Sequence, residues 1–260
     1  MLRRALNDLL SGLGKYELWI YLSWQEVRQR YRRSILGPLW ITMSMGVFIT
    51  FIGPLYSKLF KQNINEYLLG LTLGFIVWNF ISSTINDFSQ TFISSEQLIK
   101  QTRLPYSIYI YKTILRNLII FGHNFFVIIV VYFFFPSPLH SQWTLLLIGL
   151  PILILNLIWM GIFISMVCTR YRDLNPLVAN LIQISFFLTP IIWKPEALAN
   201  NTWILKYNIF FHFIELVRSP LVNSLTFSSH LGISMIILAI GMGVSALFYG
   251  KYINRISYWI

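Results

Sequence analysis

Four arginines fall within six residues, in the run Arg28-Gln29-Arg30-Tyr31-Arg32-Arg33. A guanidinium is always charged and presents a planar fork of donors that matches phosphate oxygens bidentately. These residue types suit a phosphate-bearing ligand. Anionic lipid headgroups and a topology signal account for the same charges equally well. Little else in the chain suggests chemistry. His123, His140, His212 and His230 are scattered, with no HExxH pattern and no spacing suited to metal ligands. The nine acids are dispersed, whereas a secondary transporter usually keeps ionisable groups or broken helices at mid-membrane. Cys168 is the single cysteine, so neither an internal disulfide nor a cysteine metal cluster can form. Gly12-Leu13-Gly14-Lys15 lacks the earlier glycine and the Ser/Thr of a phosphate-binding P-loop. The sequence therefore predicts no cofactor site and no nucleotide site, and any energy source must come from a partner.

The elements that must position these residues are set by hydropathy. Of 260 residues, 56% are hydrophobic and only 11% are charged; soluble domains carry about 25% charged residues. Mean hydropathy is +0.64, so lipid is the expected solvent. A net charge of +11 would suggest nucleic acid in a soluble protein. Here the charges flank apolar runs, and headgroups and topology explain them more simply. A helix needs roughly 20 apolar residues to cross a bilayer. Six segments meet or approach that length, at 36–60, 67–88, 106–135, 143–168, 176–193 and 230–250. An even number of spans puts both termini on one side. Segments on that side carry 15 of the 20 basic residues, which assigns both termini to the cytoplasm. The first 34 residues have no long apolar stretch and hold Asp8, Glu17 and Glu26, unlike a cleaved signal peptide.

Two segments do not fit simple loops. In residues 1–35, Tyr16, Ile20, Trp24, Val27 and Tyr31 recur at helical spacing, with charged residues elsewhere on the wheel. This predicts an amphipathic helix on the cytoplasmic surface; a plain lipid anchor reads the same way. Gly37-Pro38 then turns the chain into the bilayer. Residues 194–229 are too apolar for a solvated loop, yet are interrupted by polar residues and Pro220. They predict a short external re-entrant helical hairpin between the fifth and sixth spans. A seventh span is the competing reading, opposed by Lys251 and Arg255 near the C-terminus.

The connector between the second and third spans, Ser94-Ser95-Glu96-Gln97-Leu98-Ile99-Lys100-Gln101-Thr102-Arg103-Leu104-Pro105, has the marks of a short amphipathic helix. Ser94 or Ser95 can cap it, and Pro105 marks its end. Such a helix can carry force between subunits; an ordinary solvated connector has the same composition.

Several motifs resemble one family. Arg30-Tyr31-Arg32-Arg33-Ser34-Ile35-Leu36-Gly37-Pro38-Leu39-Trp40 is similar to the most characteristic motif of the type-2 ABC-transporter permeases, in particular the polysaccharide exporters of O-antigen, capsule and teichoic acid. Leu98-Ile99-Lys100 with Leu104-Pro105 is similar to their coupling-helix region. Arg170-Tyr171-Arg172-Asp173-Leu174, Thr189-Pro190-Ile191-Ile192-Trp193 and Glu215-Leu216-Val217-Arg218-Ser219-Pro220 resemble further segments around the fifth span and the external hairpin. One departure stands out. The family often has Asn-Pro before the last of these, and here Asn208 precedes Ile209.

The resemblance implies an all-α membrane protein and a half-transporter in a bacterial inner membrane. Two copies would form the pathway, and two separate ATPase subunits would bind ATP and Mg. The cargo would be a lipid-linked polysaccharide, most often on undecaprenyl diphosphate. In that frame residues 95–105 are the coupling helix, with Glu96, Gln97, Leu98, Ile99, Lys100, Arg103 and Pro105 toward the ATPase. Arg28, Arg30, Tyr31, Arg32 and Arg33 would receive the diphosphate headgroup. Trp40, Phe51, Tyr56, Trp78, Phe80, Phe88, Phe186, Phe187 and Trp193 are candidate channel aromatics, although a ring facing lipid or a neighbouring helix looks the same in sequence. Glu215 and Arg218, one helical turn apart, would form an external gate as an exposed pair of small energetic weight. An integral-membrane enzyme acting on lipid-linked sugars is the alternative from another class. It would want acids or histidines clustered at the surface, and the sequence offers no such cluster.

Overall fold

The computed structural model describes residues 2–32, 34, 37, 39–136, 142–195, 203–222 and 224–260, and these contain helices and turns but no strand. The helices are α1 (Leu2–Gly14), α2 (Tyr16–Arg30), α3 (Leu39–Leu59), α4 (Ile64–Ser94), α5 (Glu96–Gln101), α6 (Ser107–Phe134), α7 (Leu146–Arg170), α8 (Leu174–Leu188), α9 (Trp203–Tyr207), α10 (Ile209–Val222), α11 (Phe227–Tyr252) and α12 (Ile256–Trp259). Among the described residues five are long and apolar enough to cross a membrane: α3, α4, α6, α7 with its leading turn, and α11 with the short turn and helix that follow it.

The core is organised around α4. Its apolar residues run all round the helix, which marks an enclosed element. In its most apolar 18-residue stretch 72% of residues are buried, against 17–33% in the corresponding stretches of the other four. It packs against α3, α6, α7, α8 and α10. Two glycines set how closely α7 approaches its neighbours. A Cβ on Gly161 would lie 2.6 Å from the Phe88 ring of α4, and one on Gly149 would lie 2.1 Å from the Leu216 carbonyl oxygen of α10. Asn63 starts α4, its side-chain oxygen accepting from Asn65 N at 3.0 Å.

Contacts sort the helix ends into two groups. One end of the bundle gathers α1, α2, the C-terminal end of α4, the N-terminal end of α6 and the C-terminal end of α11. The other gathers the N-terminal ends of α4, α7 and α11 with the C-terminal end of α8, all meeting the 189–193 turn or α10. The basic-rich segments of the sequence belong to the first end.

Three sequence expectations need correction. The amphipathic arm is two helices, broken at Lys15, and not one. The expected fifth span is helical only over the 15 residues of α8, about 22 Å at 1.5 Å per residue, short of a roughly 30 Å hydrocarbon core. Non-helical backbone continues it from Thr189 to Trp193. The coupling segment is helical only from Glu96 to Gln101. Ser95 does not cap it with its side chain; that hydroxyl accepts from Lys112 Nζ at 3.3 Å instead. Pro105 stands outside that helix, and its carbonyl accepts from Ile108 N as α6 begins.

Candidate functional site

At the basic end, α1 lies across the ends of α6 and α11. Its wheel has three faces. Ala5, Leu9 and Gly12 are buried, Leu2, Leu6, Leu10 and Leu13 are exposed, and Arg3, Arg4, Asn7 and Ser11 make a polar face. Asp8 joins the docked face to α6. Its carboxylate accepts from Tyr106 N and Ser107 N, each at 3.0 Å, and from the Tyr249 hydroxyl of α11 at 2.6 Å. A carboxylate supplied by one helix thus satisfies the free N–H groups at the start of another, where the helix dipole also favours negative charge. Gly12 is required there, because a Cβ would stand 2.1 Å from Ser107 Oγ. Sequence reading missed α1. The leucines at 2, 6, 10 and 13 were its available signal.

One turn further along α6 lies a charged network. Glu26 of α2 pairs with Lys112 Nζ at 2.5 Å and with Arg116 of α6. Arg116 also pairs with Asp87 of α4 at 2.6 Å, and Asn117 donates to the same Asp87 oxygen at 2.7 Å. Ser23 of α2 donates to the Lys112 carbonyl at 3.0 Å. The Lys112 side chain is 8% exposed. At such burial a charge is tolerable only when paired. The predicted surface helix is therefore fastened to the bundle as well as lying at its edge. Tyr16, Ile20 and Trp24 remain exposed, whereas Val27 is buried.

Beyond this network the arginine run is open. Arg28, Arg30 and Arg32 are exposed and Tyr31 is half-buried. Arg28, Tyr31 and Arg32 line a cavity of about 580 Å³ together with Trp24, Gln25, Val27 and Gln29; Arg33 lies outside the described residues. Gly37 adopts φ 55°, the left-handed conformation that redirects the chain into α3.

The short helix α5 projects next to these elements. Ile99 is buried and roots it, while Gln97, Lys100 and Arg103 are exposed and Glu96, Leu98 and Pro105 are half-buried. Glu96 and Lys100 pair at 2.5 Å within the helix. That hydrogen bond and charge hold the Glu96 carboxyl below the usual carboxylate range.

The candidate aromatics separate by burial. Trp78, Phe80 and Phe88 are buried inside the protomer, with Phe80 against Phe121 and Trp78 against Phe186 and Phe210. Their place in the core explains them as packing residues and removes them from any surface pathway. Trp40 and Phe51 on α3 and Phe187 on α8 are exposed. Tyr56, Phe186 and Trp193 are half-buried, and Trp193 donates from Nε1 to the Phe187 carbonyl at 3.1 Å.

At the opposite end, α10 is deeply packed, burying Phe211, Phe213, Ile214, Leu216 and Val217 against α4, α7 and α11. Asn208 starts it. Its side-chain oxygen accepts from Phe211 N at 3.1 Å, and its amide donates to the Leu188 carbonyl at 3.2 Å. Asn alone thus makes the turn at the position where the sequence departs from the family pattern. The pair expected to be exposed is buried. The Glu215 and Arg218 side chains are 10% and 12% exposed, and both guanidinium contacts go to Glu215 Oε1. Arg218 also donates to the Pro190 carbonyl at 2.9 Å, tying α10 to the turn after α8.

Two of the four scattered histidines meet here. His212 Nδ1 lies 2.9 Å from His230 Nδ1, and His212 Nε2 lies 3.0 Å from the Lys206 carbonyl of α9. A carbonyl demands a donor, so His212 carries its proton on Nε2 and His230 donates from Nδ1. Burial pushes the His212 imidazole below its usual range, against the opposing pull of the Lys206 carbonyl and Glu215. Eighteen residues of separation left no local signal for this pair. Among the described residues no three His, Cys, Asp or Glu side chains group as metal ligands. His140 lies outside the described residues, and His123 contacts its own helix through Ile119 O at 2.8 Å.

Comparison with known proteins matches residues 17–222 to a family described as "ABC-2 type transporter". Two proteins of Klebsiella pneumoniae, each named O-antigen export system permease protein RfbA, are 24% and 23% identical over 198 residues, covering 74% of this chain and 75% of each relative. A Myxococcus xanthus protein of the same name is 23% identical over 204 residues, covering 76% of this chain and 75% of the relative.

Proposed function

The chain belongs to the ABC-2 type transporter family, and on that premise we propose that it is the permease half of an ATP-driven exporter of a lipid-linked polysaccharide. O-antigen is the favoured glycan, over capsule or teichoic acid, because the three relatives above carry that name. Undecaprenyl diphosphate is the proposed carrier. Two copies form the pathway in the bacterial inner membrane, and two ATPase subunits, holding ATP and Mg, dock from the cytoplasm.

The observation that carries the reading is α5, a short helix rooted by Ile99 and exposed at Gln97, Lys100 and Arg103, beside the network that joins α2, α4 and α6. Force applied to α5 passes directly into α4 through the Ser95 junction, and α4 touches most of the bundle. The six-span topology follows if α8 and the 189–193 turn together cross the membrane. In support, the N-terminal end of α7 and the C-terminal end of α8 both meet α10. Both termini then share the basic, cytoplasmic end. Arg28, Arg30, Arg32 and Arg33 would receive the diphosphate headgroup there, with Tyr31 beside them. Trp40, Phe51 and Phe187 stand on exposed faces suited to the second copy or to the glycan. At the outer end α9 and α10, with Glu215 and Arg218, are the proposed gate.

The test is coupling. Co-expressed with its ATPase, the chain should copurify with it and stimulate ATP hydrolysis. Leu98→Asp and Arg103→Glu should each abolish export while membrane levels stay normal. Full export by both variants would overturn the assignment of α5.

A further inference from the structure

The outer end holds a second cavity of about 580 Å³, enclosed by α4, the turn after α8, α10 and the start of α11. Its volume falls within the roughly 300–1,000 Å³ of small-molecule sites. The buried Glu215–Arg218 pair lines it, and exposed Glu66 and Lys194 stand at its edge. Tyr67 and Trp193 supply aromatic surface. Both rings are held in place, Tyr67 by donating to the Ile192 carbonyl at 2.6 Å and Trp193 by its bond to Phe187. Gly70 borders the space, and a Cβ there would meet nothing within 4 Å, so a side chain can be placed at this position.

We propose that this cavity is a saccharide subsite, holding one or two rings of a glycan on the external side. The site chemistry argues for a neutral, polyhydroxylated ligand. Two carboxylates are balanced by two cations, so a phosphate would gain Arg218 and Lys194 only by meeting Glu215 and Glu66. A metal cation would meet the reverse problem. An acyl chain would strip water from a charged pair without replacing its hydrogen bonds. Sugar hydroxyls both donate and accept. They can donate to Glu215 Oε2, the oxygen that the Arg218 contacts do not use, and accept from guanidinium N–H groups. The apolar face of a pyranose packs on a ring such as Trp193, with its polar edge toward the pair. The same pair, through the Pro190 carbonyl, also fixes the turn after α8, so occupancy bears on the position of α10.

This inference rests on the exporter reading for the identity of its glycan, and the test separates the two. Cys168 is buried and is the single native cysteine. A Gly70→Cys variant therefore offers one reactive thiol, inside the cavity. In lipid nanodiscs its maleimide labelling is timed with and without the polysaccharide released by mild acid from the producing cells' own lipid carrier. Inorganic phosphate at equal concentration is the comparison. The polysaccharide should slow labelling at least threefold, and phosphate should leave it unchanged. Adding Trp193→Ala or Glu215→Gln should abolish the protection, and a Ser257→Cys thiol at the far end should show none. No protection by the polysaccharide, or equal protection by phosphate, overturns the subsite. Deletion of the gene in cells tests the other reading separately. If surface polysaccharide persists, the exporter assignment fails whatever the thiol shows. If it is lost and the thiol is unprotected, only the subsite fails.

Discussion

At the basic end, Glu26, Asp87, Lys112 and Arg116 come from three helices, and their pairs bridge 29, 86 and 90 residues of chain. At the opposite end Glu215 and Arg218 stand three residues apart on one helix and reach outside it through the Pro190 carbonyl. Both clusters are largely buried, yet they constrain different things. The first fixes α2, α4 and α6 against one another, so its loss strands charges at a junction of elements. The second survives any motion in which α10 travels as a unit, and what it shapes is a cavity wall. The basic end is a fastening of several helices made by residues far apart in the chain. The opposite end is a locally made unit, its pair lying within one helix.

This contrast predicts a graded series. Arg116→Met leaves Glu26 and Asp87 short of a partner and should cost about 2–3 kcal/mol, below the range for a fully buried pair because both acids are partly exposed and keep Lys112 and Asn117. Thermal unfolding in detergent would read it. A change under 1 kcal/mol would mean the network is not a fastening. Asp8→Ala uncaps α6 and releases Tyr249, for a loss of about 2 kcal/mol by the upper range for caps. Hydrogen exchange should rise at the start of α6 and the end of α11 and stay constant in α10. Arg218→Met should cost less than Arg116→Met on the same unfolding assay, because only one of its bonds, to the Pro190 carbonyl, leaves α10. Equal costs would remove the distinction between the two ends.

The end that carries α10 should also respond to acid. Detached, His212 takes up a proton near pH 6.5; docked, burial holds it neutral to lower pH. Docking of α9 and α10 is therefore fully favoured above about pH 6.5. It weakens as pH falls below that, levelling only once the docked ring itself protonates. His230, the Lys206 carbonyl and Glu215 are the groups that face or bias it. Proteolysis in the α9–α10 region should rise between pH 7 and pH 5 in wild type and lose that dependence in His212→Gln. The smallest effect belongs to Lys100→Ala. Its pair with Glu96 is solvent-exposed, so unfolding should not change measurably, and an effect would have to show in ATPase coupling.

Hydropathy made the long helices legible before any coordinates, because each must satisfy its own backbone hydrogen bonds in lipid and leaves a long apolar run as its record. The charge bias between the two ends was legible for a similar reason, and so was the Glu215–Arg218 pair, since three residues is one helical turn. Its burial was not legible, because that depends on which helices surround α10. The end of helicity at Leu188 did have a local signal in Pro190, because a proline pushes the residue before it, here Thr189, out of helix into extended backbone. What stayed hidden is how the largely apolar residues 189–193 are then held, through bonds from Tyr67, Asn208 and Arg218.

By itself the sequence determined the solvent, the family-like motifs, the helical class and which segments carry the positive charge, all properties of composition and short-range periodicity. The tertiary structure decided which polar groups are partners. Asp8 caps a helix 98 residues away, His212 finds His230, and Arg116 divides itself between Glu26 and Asp87. Such pairings depend on where whole helices end in space, and neither charge nor spacing along the chain encodes that locally.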